Sequence, residues 1–160
     1  MTDVVRAFVV LALLVAFVAL ARGDDLPDPE LTPGAVRTDI TLVDICTRKW
    51  GTDVRHVTPK MRRDVLASYG GEPACVPDKS GRTFELDHLV SRELGGADVT
   101  ENLWPQCYTG EWNAVMKDRL ENALHKLVCD GSISLRHAQG LIASDWRDIY
   151  RHLFSNGEQM

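Results

Sequence analysis

No stretch of this 160-residue chain matches a conventional membrane span: the longest apolar run, residues 7–21, holds fifteen residues, against the roughly 20 needed to cross a bilayer core. Basic charge is not in excess either. Lys and Arg number 18 against 23 Asp and Glu, a formal net charge of −5. Removing residues 1–21 leaves that charge unchanged, because Arg6 and Asp3 cancel. Global charge therefore does not mark a polyanion binder, and any such site must be a local basic patch. Cys46, Cys75, Cys107 and Cys129 lie 29, 32 and 22 residues apart with no Cys-x-x-Cys pair, which argues against a four-cysteine zinc site. Repeats and low-complexity blocks are absent. With 26% charged and 44% hydrophobic residues the chain is not of disordered composition, and its length suits one modest domain.

What is present begins with the apolar run. Arg6 precedes it, and Ala19, Leu20, Ala21, or one step on Ala21, Arg22, Gly23, supplies a small-residue cleavage pattern. Residues 1–23 read as a secretory signal, with an uncleaved anchor as the alternative. The expected location is secreted or periplasmic, without stable membrane contact after cleavage. An oxidising compartment turns the four cysteines into an expected disulfide framework. Proximity alone favours Cys46 with Cys75 and Cys107 with Cys129. Residues 24–39, with Pro27, Pro29, Pro33 and Gly34 among acids, read as an extended lead-in that contributes no core. Residues 40–160 are then a single domain.

Thr58 and Pro59 make a helix start, and Met61, Val65 and Leu66 recur at helical spacing until Gly70 and Gly71, giving a helix over 59–69. Residues 83–90 alternate and read as a strand. After a loop holding Gly95 and Gly96, Asn102, Leu103 and Trp104 read as a second short strand halted by Pro105. From Glu111 the period changes: Val115, Met116, Leu120, Ala123, Leu124, Leu127 and Val128 share a helical face that Asp130 and Gly131 end. A last helix is expected over 134–154, capped by Ser134, with Leu135, Ala138, Leu141, Ile142, Trp146, Ile149 and Leu153 as core.

Within this α+β order one constellation carries chemistry. Glu85, Leu86, Asp87, His88, then Leu94, Gly95, Gly96, then Glu101, Asn102, Leu103, Trp104, Pro105, then Asn113 on the next helix, resemble the HNH endonuclease family. The resemblance covers residues 83 to about 120 closely. Lys117, Asp118, Leu120, Glu121, then Val128 to Gly131, then Ala138, Gln139 and Trp146, are similar more loosely to exported members of that family. It implies a ββα-metal core at about 83–128 with flanking helices, and an activity that hydrolyses phosphodiester bonds. Cutting such a bond needs a deprotonated water, a counter-charge for the transition state and help for the leaving oxygen. By the resemblance His88 is the general base, Asp87 binds the metal, Asn102 holds the loop and orients the His88 ring, and Asn113 completes the metal site. The chain reads His, Asn, Asn where the family name reads His, Asn, His. Asp87 and Asn113 are hard oxygen ligands, so one Mg²⁺ or Mn²⁺ ion is the expected cofactor. His125 is the rival third ligand, but it lies about 18 Å beyond Asn113 along a continuous helix.

Glu85 and Arg92 stay outside this innermost set, Glu85 on the strand face of Asp87. His56, His137 and His152 read as surface residues. For the substrate, Arg48, Lys49, Arg55, Lys60, Arg62 and Arg63 stand against Asp53 alone, a local charge of +5 that suits phosphate contacts without base reading. The expectation is a nuclease of low sequence specificity acting on nucleic acid, DNA ahead of RNA. Two other classes compete with it: an inactive binding module of the same fold, and an envelope-anchored interaction protein.

Overall fold

The computed structural model describes residues 25–51 and 54–155. The apolar segment lies outside them, and among the described residues no helix is long and apolar enough to cross a membrane. Short polar side chains start the helices. Thr41 and Asp44 form a reciprocal cap on α1 (Leu42–Thr47), Thr58 accepts from Met61 N–H ahead of α2 (Pro59–Ser68), and Asn113 accepts from Met116 N–H ahead of α3 (Ala114–Cys129). Ser134 caps α4 (Leu135–Ala143), and α5 (Trp146–Ser155) follows.

The expected single helix over 134–154 is thus two. Ser144 leaves helical geometry and donates its hydroxyl to Leu141 O, while Asp145 accepts from the Arg147 N–H; these local bonds compete with the helical ladder. Of the expected α3 face, Leu120, Leu124 and Val128 are buried but Val115 is exposed.

Between α2 and α3 the chain forms an antiparallel pair, β1 (Phe84–His88) and β2 (Leu103–Cys107), with Asp87 opposite Trp104 and His88 opposite Leu103. β2 runs through Pro105 instead of stopping there. Leu89 N–H donates to Asn102 O and Tyr108 N–H to Thr83 O, which sets the ladder bonds at odd-numbered residues of the first strand. Pro105 faces Leu86, between those bonds, so its missing N–H costs nothing. Glu85, Asp87, Trp104 and Gln106 share one face; Leu86, His88, Leu103 and Pro105 share the other.

Two cores flank this pair. Val65 of α2 packs with Leu86 and Leu103. The larger core joins Val90 and Leu94 to Leu120, Leu124, Val128, Ala138, Ile142 and Trp146. The lead-in belongs to the fold, contrary to expectation. Thr32 is fully buried and donates to Leu103 O, Val36 bridges to Gly96, and Asp25 O accepts from the Trp146 indole. Its prolines suit an extended path, and that path supplies backbone partners to the loop after β1.

The disulfides join Cys46 to Cys129 and Cys75 to Cys107, which corrects the pairing expected from proximity. α1 lies against the C-terminal end of α3, and Cys107 ends β2 beside the loop that carries Cys75. Tertiary packing therefore brings together cysteines 83 residues apart. Two disulfides fit an oxidising location outside the cytoplasm.

Candidate functional site

Asp87 and His88 are consecutive on β1, so their side chains leave opposite faces of the strand, yet both line one cavity of about 330 Å³. Asp118 and Glu121 of α3, and Glu93 and Ser91 after β1, complete an acidic wall, with Trp50 and Arg92 at its edge. Burial pushes the Glu93 and Glu121 carboxyls above the usual range, with the charges of neighbouring carboxylates adding to the rise.

His88 is buried, at 5% exposure, and its Nε2 lies 2.7 Å from Asp98 Oδ1. A carboxylate accepts, so Nε2 carries the proton and the lone pair is on Nδ1. Burial lowers the imidazole pKa to about 4, aided by the positive charge of Arg55 and opposed by Asp87 and Asp98. The ring is therefore neutral near pH 7. Asp98 is itself fixed by the His56 N–H at 2.8 Å. It is one of two residues whose role sequence reading missed, since a lone aspartate past Gly95 and Gly96 carries no spacing signal.

Asn102 holds the loop, as expected, but does not orient the ring. Fully buried, it accepts from Val90 N–H at 2.9 Å and Ala35 N–H at 3.3 Å and donates to Val90 O and Ala97 O. That use satisfies both ends of the amide. The ring-orienting role passes to Asp98. Gly96 makes the tight loop possible, because a Cβ there would fall 1.8 Å from Val90 O.

Asn113 is placed otherwise than expected. Its Oδ1 accepts from Met116 N–H and its Nδ2 donates to Gly110 O, so the side chain is engaged as the α3 cap. Facing Asp87 instead is Lys117. This lysine is fully buried, 2.7 Å from Asp87 Oδ2, paired with Glu121, and donates to His88 O at 2.6 Å. Burial alone would lower its pKa, but Asp87 and Glu121 outweigh that and keep it charged. Its position three residues before Leu120 and seven before Leu124 put it on the buried helix face, a signal available in the sequence. His125, one helical turn past Glu121 and near enough to act on the Glu93 carboxyl, has its Nε2 3.0 Å from Ile45 O beside the Cys46–Cys129 bridge.

In kind, the cavity's oxygens suit a hard divalent cation: carboxylates, and the Ser91 hydroxyl, buried at 3% exposure without a hydrogen-bond partner. Among the described residues no three His, Cys, Asp or Glu side chains converge to hold one. Such an ion would be held by Asp87 and at most one more of these side chains, with water or the Ser91 hydroxyl among its remaining ligands, an arrangement that suits magnesium. Asn113, as placed, does not contribute.

No protein-family model, curated protein or solved structure matches this chain.

The six expected substrate contacts divide. Arg55 donates to Leu86 O and, with Arg62, lines a groove beside Phe84, over whose ring Arg62 lies. Lys60 pairs with Asp64 and Arg62 with Glu72, while Arg63 is exposed on α2. Arg48 follows α1 and pairs with Asp44, and exposed Lys49 stands next to it. Acids not counted in the +5 run thus offset part of it. Glu85 lies on the Asp87 face and accepts from the Tyr108 hydroxyl at 2.7 Å. His137 and His152 are exposed on α4 and α5, as expected.

Proposed function

We propose that the chain is an endonuclease of the HNH type, with β1, β2 and α3 as its ββα-metal core, hydrolysing phosphodiester bonds in DNA ahead of RNA with little sequence preference. The observation that carries this reading is the His88 environment: a neutral imidazole, its Nε2–H fixed on Asp98, opening on an acidic cavity that Asp87 also lines.

The chemistry follows from those positions. His88 Nδ1 takes a proton from water, the water oxygen bonds to phosphorus, and the bond from phosphorus to the 3′ oxygen breaks, leaving a 5′ phosphate and a 3′ hydroxyl that gains its proton from solvent. Asp98 stabilises the imidazolium that forms. Lys117 holds the Asp87 carboxylate and the His88 carbonyl together and fixes the strand against α3. Asn102 keeps the intervening loop in place. A divalent cation, Mg²⁺ or Mn²⁺, held by Asp87 would supply the counter-charge at the phosphate.

The test is nicking of supercoiled plasmid by the oxidised chain without its apolar leader, in Mg²⁺, in Mn²⁺ and in EDTA, alongside His88→Ala. Metal-dependent nicking lost in the variant is expected. A second reading, an inactive binding module of the same fold, is favoured by the Lys117 ammonium, which already neutralises Asp87. A folded wild-type chain that binds nucleic acid and cuts no DNA or RNA in either metal would establish that reading instead.

A further inference from the structure

A second cavity, of about 410 Å³, lies beside the acidic one and has the opposite charge. Arg37, Arg48, Arg92 and His56 line it, against the single carboxylate of Asp98. Trp50 and Arg92 wall both cavities. His88 opens on the acidic side and its partner Asp98 on the basic side, so the two meet at that hydrogen bond.

We propose that the basic cavity is an oxyanion site that receives a phosphate group of the nucleic-acid strand, neighbouring the one presented to His88. This rests on the nuclease reading for the source of the phosphate, but not for the chemistry of the site. Arg37 and Arg48 are held without being used up, while Arg92 is fixed by Val54 O at 2.7 Å and lies 3.7 Å from Asp98 Oδ1. Arg37 pairs with Asp39 at 2.9 Å and Arg48 with Asp44 at 3.4 Å, both exposed pairs of the sort that contribute little and exchange readily for a phosphate. Asp98 is already engaged by His88 and by the His56 N–H, which reduces its repulsion of an incoming anion. Planar guanidinium groups match phosphate oxygens two at a time. Trp50 is a fixed wall, its indole N–H donating to Ile45 O at 2.7 Å. Opposite charges on adjacent cavities give an approaching strand a definite placement: one phosphate drawn to the arginines, and the next left at the acidic side.

The experiment uses the full oxidised chain in EDTA, with two probes: inorganic phosphate, and a labelled single-stranded oligonucleotide titrated over a range of salt. Arg37→Gln/Arg48→Gln is compared with a charge-matched control at exposed positions elsewhere, Lys126→Gln/Arg136→Gln, with melting curves confirming that both fold. The site variant is expected to bind oligonucleotide at least tenfold more weakly, with a log–log salt slope shallower by about 0.7 for the phosphate lost. Phosphate should compete with the oligonucleotide on the wild type and not on the variant. Equal binding by the site variant and the control, or no binding of either probe by the wild type, overturns the site, whatever the chain cleaves. Phosphate binding lost in the site variant of a chain that neither binds nor cleaves nucleic acid upholds the oxyanion site for free phosphate and refutes the nuclease reading.

Discussion

Asn113 shows how one side chain can satisfy a spacing and serve another purpose. With its oxygen on the Met116 N–H, replacement by alanine should destabilise the chain by about 1 kcal/mol, while Asn113→Ser, which keeps a cap, should melt close to wild type. If nicking activity follows stability through both variants, the residue is a cap; a collapse of activity in a stable Asn113→Ser chain would make it a ligand. His88 sets a dependence on pH. Its folded pKa of about 4 lies below the ordinary imidazole value, so between these two values the unfolded chain binds more protons than the folded one. That contribution is fully present above about pH 6.5 and is lost as pH falls toward 4, on the order of 3 kcal/mol for a group this buried. Urea midpoints at pH 7 and 4.5 should fall further for wild type than for His88→Gln; equal falls would show an exposed imidazole.

At the scale of elements, the loop between β1 and β2 depends on a close approach of the Gly96 and Val90 backbones. Gly96→Ala would drive a methyl group into Val90 O and against the Asn102 amide, so a loss on the order of 3 kcal/mol or more is expected, read as a lowered denaturant midpoint or absence of soluble protein. Near-normal stability would show that the loop relaxes freely. The glycine pair, the strand before it and the helix after it were legible because alternation, punctuation and helical period are properties of neighbouring residues. Asp98 and Lys117 were harder to read. What gives Asp98 its role is the His88 ring ten residues earlier, a fact of packing; the helical period does put Lys117 on the buried face of α3, but it does not encode that Asp87 of β1 lies opposite. The Ser144 and Asp145 break was missed because the apolar period continues through it, and only the competing side-chain bonds interrupt the helix.

On the scale of the molecule, the α+β order was readable and the closure was not. The lead-in reads as contributing no core because its prolines and acids offer little apolar surface, yet its carbonyls, N–H groups and Thr32 complete the loop that holds the site. The Cys46–Cys129 bridge encloses the sheet, α2 and almost all of α3, and it anchors the segment bearing Arg48 and Trp50. Cys46→Ser/Cys129→Ser should lower stability by about 2–5 kcal/mol, and by more than loss of the Cys75–Cys107 bridge, which closes a shorter loop. Guanidinium midpoints of the two double variants check the order.

The nested arrangement of these bridges also bears on how the chain matures. A polypeptide delivered N-terminus first into an oxidising compartment presents Cys46 and Cys75 before any other cysteine, and they are not partners. Pairing in order of arrival would tie the end of α1 to the wrong loop. Correct assembly requires Cys46 to stay reduced until residue 129 has emerged and α3 has docked, or an isomerase to undo the early bond. The Cys46–Cys129 bridge, which anchors the segment bearing Arg48 and Trp50, is therefore the last covalent feature such a chain acquires.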